Sequence, residues 1–151
     1  MNRLLFCGLA ALITSAAATH AAVVQVGNNY EDSDSIICAS TQFCNLSFAQ
    51  VAADKRLTVS GVHCDFYAQN GVLLTARFGA FPAPTRLQPM PLSYTSVAGG
   101  FRYYTARLET TKRIFEAGSR PRVTVTGFKT GSSNINIQIT CQLIGVLSTV
   151  N

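Results

Sequence analysis

The sequence predicts an all-β protein: a single-domain antiparallel β-sandwich, jelly-roll or immunoglobulin-like, with about eight or nine strands and two disulfides behind an N-terminal signal peptide. Three observations carry this expectation. Ile135, Ile137, Ile139, Cys141 and Leu143 alternate with Asn134, Asn136, Gln138, Thr140 and Gln142, the period-two signature of a strand with one buried face. Elsewhere, strand-type runs recur with turn residues between them, and no convincing helical period follows Ala21. Finally, the cysteines suit an oxidising compartment, as the N-terminus shows.

Asn2 and Arg3 form a short positive head, Leu4 to Ala18 is an apolar run, and Thr19-His20-Ala21 offers small residues where a signal peptidase reads. The pattern marks residues 1–21 as a signal peptide cleaved after Ala21, leaving residues 22–151 as the sandwich domain and placing it in the periplasm or outside the cell. A membrane anchor is disfavoured, since a run of about 15 residues is short for a span needing about 20. Cleavage removes Cys7, His20 and Arg3, so the net charge falls from +5 to +4 and His63 becomes the only histidine. Cys38, Cys44, Cys64 and Cys141 remain, an even set that implies two disulfides.

Val23 to Val26 can open the fold, and Glu31-Asp32-Ser33-Asp34 reads as a solvated acidic loop. Ile36 to Ala39 and Cys44 to Phe48 follow as strands. Leu57 and Val59 share one register while Val62, Cys64 and Phe66 share the opposite one, so a β-bulge at Gly61 is needed to turn both sets inward. Asn70-Gly71 reads as a type I′ hairpin leading to a strand whose apolar face is Leu74, Ala76, Phe78 and Ala80. Pro82, Pro84, Pro89 and Pro91 predict a long loop or an edge segment, because proline cannot donate to a ladder. Gly99-Gly100 then turns into Phe101 to Leu108, Glu116-Ala117-Gly118 turns into a strand from Arg122 to Phe128, and Gly131-Ser132-Ser133 returns the chain as a hairpin into the Cys141 strand.

Facing decides the cysteine pairing. Cys64 and Cys141 both occupy core-facing strand positions, and Cys38 and Cys44 flank a short loop. The pairs 64–141 and 38–44 are therefore expected, the longer worth about 4 kcal/mol in the chain-entropy model and the shorter less.

Candidates for chemistry are few. His63 and Asp65 share a strand face and can orient a general base, but no Gly-x-Ser-x-Gly elbow supplies a nucleophile. A hydrolase is thus disfavoured, and no catalytic residue is assigned. One histidine and paired cysteines cannot build a zinc site, and Glu31, Asp32 and Asp34 are too few for calcium; neither metal nor cofactor is expected. Asn45-Leu46-Ser47 matches a glycosylation acceptor, a tripeptide too common to decide anything.

The suggestive feature is basic. Arg102, Arg107, Lys112, Arg113, Arg120 and Arg122 face only Glu109 and Glu116 in the same segment, an excess of four that equals the mature net charge. Guanidinium groups pair with carboxylate, sulfate and phosphate, and tyrosine rings stack on sugars. The expected ligand-binding residues are Arg102, Tyr103, Tyr104, Arg107, Arg120 and Arg122, with Arg120 and Arg122 projecting together around Pro121. The expectation is a non-enzymatic binding protein whose partner is an anionic polysaccharide or lipopolysaccharide rather than nucleic acid. The alternative is a structural subunit, meeting a protein partner or a second copy through the proline segment or the run Ile144-Gly145-Val146-Leu147.

Overall fold

The computed structural model describes residues 23–81 and 87–150; the expected signal peptide, Pro82 and Pro84 lie outside them. The described chain is all strand and turn. In order it forms β1 (Val24–Val26), β2 (Asn29–Cys38), β3 (Phe43–Ser47), β4 (Lys55–Gln69), β5 (Gly71–Phe81), β6 (Gln88–Met90), β7 (Leu92–Ala98), β8 (Phe101–Phe115), β9 (Arg120–Lys129) and β10 (Asn136–Thr149). Ten strands replace the expected eight or nine, because β6, with three residues, and β7 lie in and just after the segment whose prolines read as loop or edge.

The strands form two antiparallel sheets, a six-stranded one ordered β1-β2-β10-β4-β8-β7 and a four-stranded one ordered β3-β9-β5-β6. Their inner faces share one core. The alternating run of β10 buries Ile137, Ile139, Cys141 and Leu143, and β4 adds Leu57, Val59, Val62, Cys64, Phe66 and Ala68. From the other sheet come Cys44, Leu46, Ala76, Phe78, Val123 and Val125. A fully buried side chain such as Phe66 or Phe78 contributes about 1.5–3 kcal/mol through removal of apolar area from water. The phase change in β4 is the expected bulge: Val59 and Gly61 have successive partners in β10, and Ser60 is the extra residue, its hydroxyl donating to the Ile144 carbonyl at 3.2 Å.

Both predicted hairpins at the ends of this core are instead crossings between sheets. β4 and β5 belong to different sheets, and so do β9 and β10. Asn70 alone takes a left-handed turn (φ 59°), whereas a type I′ hairpin needs positive φ at two central residues. Gly71 is required by crowding: a Cβ there would collide with the Ile135 side chain and the Phe128 carbonyl. The two corners hold each other, with Thr130 N–H donating to the Asn70 carbonyl at 2.9 Å and Asn70 Nδ2 to the Asn134 carbonyl at 3.2 Å. Gly99 and Gly100, with φ of 58° and 80°, do make a two-residue hairpin between β7 and β8. Leu74 departs from its expected face, because the β5 register shifts between Leu73 and Thr75, burying Leu73 and exposing Leu74.

The acidic stretch is also corrected. Residues 31–34 lie inside β2, where alternate positions place Tyr30 and Asp32 inward. Asp32 is 2% exposed; its Oδ2 accepts from Tyr30 Oη at 3.1 Å and from Ala49 N–H at 2.8 Å, satisfying a carboxylate that would otherwise be costly to bury. Two acids at inner positions erase the apolar alternation, which is why the segment reads as loop. Pro89 lies in β6, an edge strand, as proline requires. The 144–147 run belongs to β10, with Leu147 buried and Ile144 and Val146 exposed.

The disulfides are Cys38–Cys44 and Cys64–Cys141. Cys64 and Cys141 face each other directly across β4 and β10, so that bridge joins neighbours within one sheet. The short one ties β2 to β3 and hence one sheet to the other. In urea unfolding, Cys64→Ala with Cys141→Ala should cost about 4 kcal/mol and Cys38→Ala with Cys44→Ala about 2 kcal/mol; equal losses would contradict the loop-length ordering.

Tyr30 supplies a pH test. Burial first, then the charge of Asp32 and the hydrogen bond to it, hold its phenol above the ordinary value of 10.0. The folded state keeps a proton that the unfolded chain releases, so this contribution is complete below about pH 10 and is lost as pH climbs beyond it. Urea midpoints should therefore fall from about pH 9 to about pH 11, less steeply in Tyr30→Phe; parallel profiles would remove Tyr30 from the account.

Candidate functional site

The four-stranded sheet carries charge of one sign. Its strands contain Arg77, Arg120, Arg122 and Lys129 and no Asp or Glu. Alternation sends Val123 and Val125 of β9 to the core and leaves Arg120, Arg122, Thr124, Thr126 and Phe128 on the outer face. Register then places Phe43 beside Thr126, Asn45 beside Thr124 and Ser47 beside Arg122 on one flank. On the other flank Arg77 lies beside Thr124, Gly79 beside Arg122 and Phe81 beside Arg120.

Gly79 shapes the centre of this face. A Cβ there would collide with the Leu87 side chain, which packs over this glycine, and the neighbouring Arg122 guanidinium leans to Phe81, with Cζ 4.8 Å from the ring centroid. That cation–π contact holds Arg122 half-buried, and its Nε has no hydrogen-bond partner among the described residues. Thr124 Oγ1 donates to Asn45 Oδ1 at 2.8 Å, fixing the middle row. Three phenyl rings stay open to solvent, Phe43 at 62%, Phe81 at 51% and Phe128 at 55%. From Arg120 to Phe128 the face runs about 27 Å at the usual rise per residue. Arg120, Arg122 and Arg77 follow one another along one end of that length and Phe43 and Phe128 lie toward the other, with Phe81 beside Arg120; Arg77, Arg120 and Arg122 form no ion pair among the described residues.

The six expected ligand-binding residues do not gather on one surface. Arg120 and Arg122 share the four-stranded face, and Arg120 also borders a depression of about 200 Å³ lined by Asp32 and Asp34. Tyr103 and Arg107 lie on the outer face of the six-stranded sheet, the opposite side of the molecule. Arg102 shares the inward register of Ala68. Tyr104 is interior at 8% exposure: Leu73 N–H donates to its hydroxyl at 3.4 Å, and its ring meets Tyr94 edge-on at 5.5 Å. Arg113, another member of the basic segment, donates from Nη1 to the Phe78 carbonyl, and burial lowers its pKa. What the sequence reading missed is Arg77, Phe43 and Phe81 as partners of Arg122. The available signal was aromatic residues at polar positions of the alternation, such as Phe81 out of phase with Phe78 and Ala80.

The His63–Asp65 pair sits on the six-stranded outer face, where His63 Nε2 is 3.8 Å from Glu109 Oε1. Among the described residues no three His, Cys, Asp or Glu cluster to hold a metal, and no helix is long and apolar enough to cross a membrane.

Tyr104 separates core from surface. Tyr104→Phe should cost no more than about 1 kcal/mol in urea unfolding, whereas Tyr104→Ala should cost about 3–5 kcal/mol by opening a cavity. A harmless Tyr104→Ala would place that ring at the surface after all. No family model, curated protein or solved structure matches the chain.

Proposed function

We propose that this is a secreted or periplasmic binding protein, not an enzyme, whose four-stranded sheet takes an anionic polymer such as an acidic polysaccharide or lipopolysaccharide. The single observation carrying the reading is the charge segregation: the four-stranded sheet holds four positive residues and no negative one. Arg77 and Arg122 pair with sulfate, phosphate or carboxylate groups, and the phenyl rings pack against the apolar parts of the same chain. The two disulfides and the signal-peptide pattern support a location outside the cytoplasm. We read the β-sandwich as a jelly roll, since β2-β10-β4-β8 and β3-β9-β5-β6 form two four-stranded halves between which the chain alternates, apart from the consecutive pair β5 and β6, with β1 and β7 added at the ends of the larger sheet. The fold lends no activity by itself.

One observation favours a second reading, self-association. Among the described residues β1 pairs with residues 29–31 of β2, and residues 36–38 pair with β10 alone, so that end of β2 offers one side of its backbone for strand addition. Sedimentation over a wide concentration range would reveal it as a mass that grows with concentration.

Heparin chromatography and binding to lipopolysaccharide test the principal reading. The mature, oxidised protein should be retained and eluted by salt, and Arg77→Glu with Arg122→Glu should elute at markedly lower salt. Arg107→Glu, on the opposite face, should elute much closer to wild type. Equal elution of the double variant and wild type would overturn the assignment.

A further inference from the structure

We propose that the outer face of the six-stranded sheet is a second, independent binding site: a trough for an uncharged, polyhydroxylated chain, that is, a neutral oligosaccharide. Register arranges this face as a grid over β2, β10, β4 and β8. One row is Ser33, Gln142, His63 and Arg107; the next is Ser35, Thr140, Asp65 and Thr105; the third is Ile37, Gln138, Tyr67 and Tyr103. The middle row is built of short side chains and the rows flanking it mostly of long ones. A groove therefore runs across the strands, floored by hydroxyls and a carboxylate. The structure shows a depression of about 270 Å³ here, reaching Asp65, Thr105 and Thr140 at its floor and His63, Arg107 and Gln142 on one wall. Four strands give it a length of about 14 Å, and the flanking rows stand about 14 Å apart at the backbone.

The chemistry of the lining selects the ligand class. Beyond the depression, on the far side of the middle row, the register places two aromatic rings: Tyr67 and Tyr103 meet edge to face with centroids 5.0 Å apart, so one ring braces the other. The facing wall and the floor combine a donor, Arg107, with acceptors, Asp65 and the threonine oxygens, while Gln142 Nε2 donates to Glu31 Oε1 at 2.6 Å. A sugar ring presents both features at once, an apolar face of C–H groups and a rim of hydroxyls that each donate and accept. Charge argues against an anion, since Asp65 and Glu109 lie beside Arg107 and His63 and oppose any excess of positive potential. The ladder partners on both sides of β4 and β10 are already taken, so an added peptide strand has no backbone groups to join. The site does not rest on the four-stranded face.

The test is an amide chemical-shift titration of the mature, oxidised protein with a panel of neutral hexose and N-acetylhexosamine oligosaccharides. At least one should shift the amides of β4, β8 and β10 around Asp65, with affinity nearly unchanged on raising salt. Asp65→Ala and, separately, Tyr103→Ala should each weaken that ligand about tenfold or more, by loss of a charged hydrogen bond or a stacking surface. Both sites are on the surface, and Arg107→Gln provides a further milder variant should Tyr103→Ala unfold. Arg77→Glu with Arg122→Glu should bind the neutral ligand as wild type does. The proposal fails if no neutral oligosaccharide moves those amides, if Asp65→Ala and Arg107→Gln bind unchanged, or if the Arg77/Arg122 variant loses neutral-ligand binding.

Discussion

The outer face of the six-stranded sheet depends on the register of β10 between β2 and β4. Because side chains alternate strictly, a slip of one residue would exchange the buried and exposed sets of a strand. Ile137, Ile139, Cys141 and Leu143 resist that slip through burial, since none is more than 2% exposed. The Cys64–Cys141 bridge resists it covalently, because it joins residues directly opposite one another. With that register fixed, Thr140 must stand beside Asp65 and Gln142 beside His63. The grid outside is the imprint of the core inside.

The two sheets divide the charge between them. The six-stranded sheet mixes signs, with Glu31, Asp32, Asp34, Asp65 and Glu109 distributed among its strands alongside lysine and arginine. The four-stranded sheet mixes nothing. Packing back to back through a shared apolar core places the uniform face and the mixed face on opposite sides of one body. A single electrostatic character cannot describe such a molecule, and the chain's modest net charge of +5 conceals where that charge resides.

What the sequence could show followed from what is local. Alternation around Cys141, the phase break near Gly61 and the parity of Cys64 are properties of single strands, so the disulfide pairing and the bulge were legible. Asn70-Gly71 and Gly131-Ser132-Ser133 were legible as turns but not as crossings, because the choice between hairpin and crossing is made by the partner strands. Asp32 hid its own strand by putting a carboxylate where the pattern demands an apolar residue. At the candidate site, Arg120 and Arg122 were visible as neighbours in sequence. Arg77 and Phe81 join them only through the β5–β9 ladder, and Gly79 matters only because Leu87 packs over it; no spacing along the chain encodes either relation.

The position of β10 also bears on the order in which this chain can acquire its structure. It is the last of the ten strands to be synthesised, yet it occupies the interior of the larger sheet, flanked by two strands made long before it. Until it arrives, β2 and β4 have no common neighbour, Cys64 has no partner, and the inner side of the sheet is missing its central apolar column. The nascent polypeptide is thus denied a finished core through most of its translation. A chain that cannot close early keeps the inner faces of β2 and β4 waiting, unfolded, for the strand that comes to lie between them.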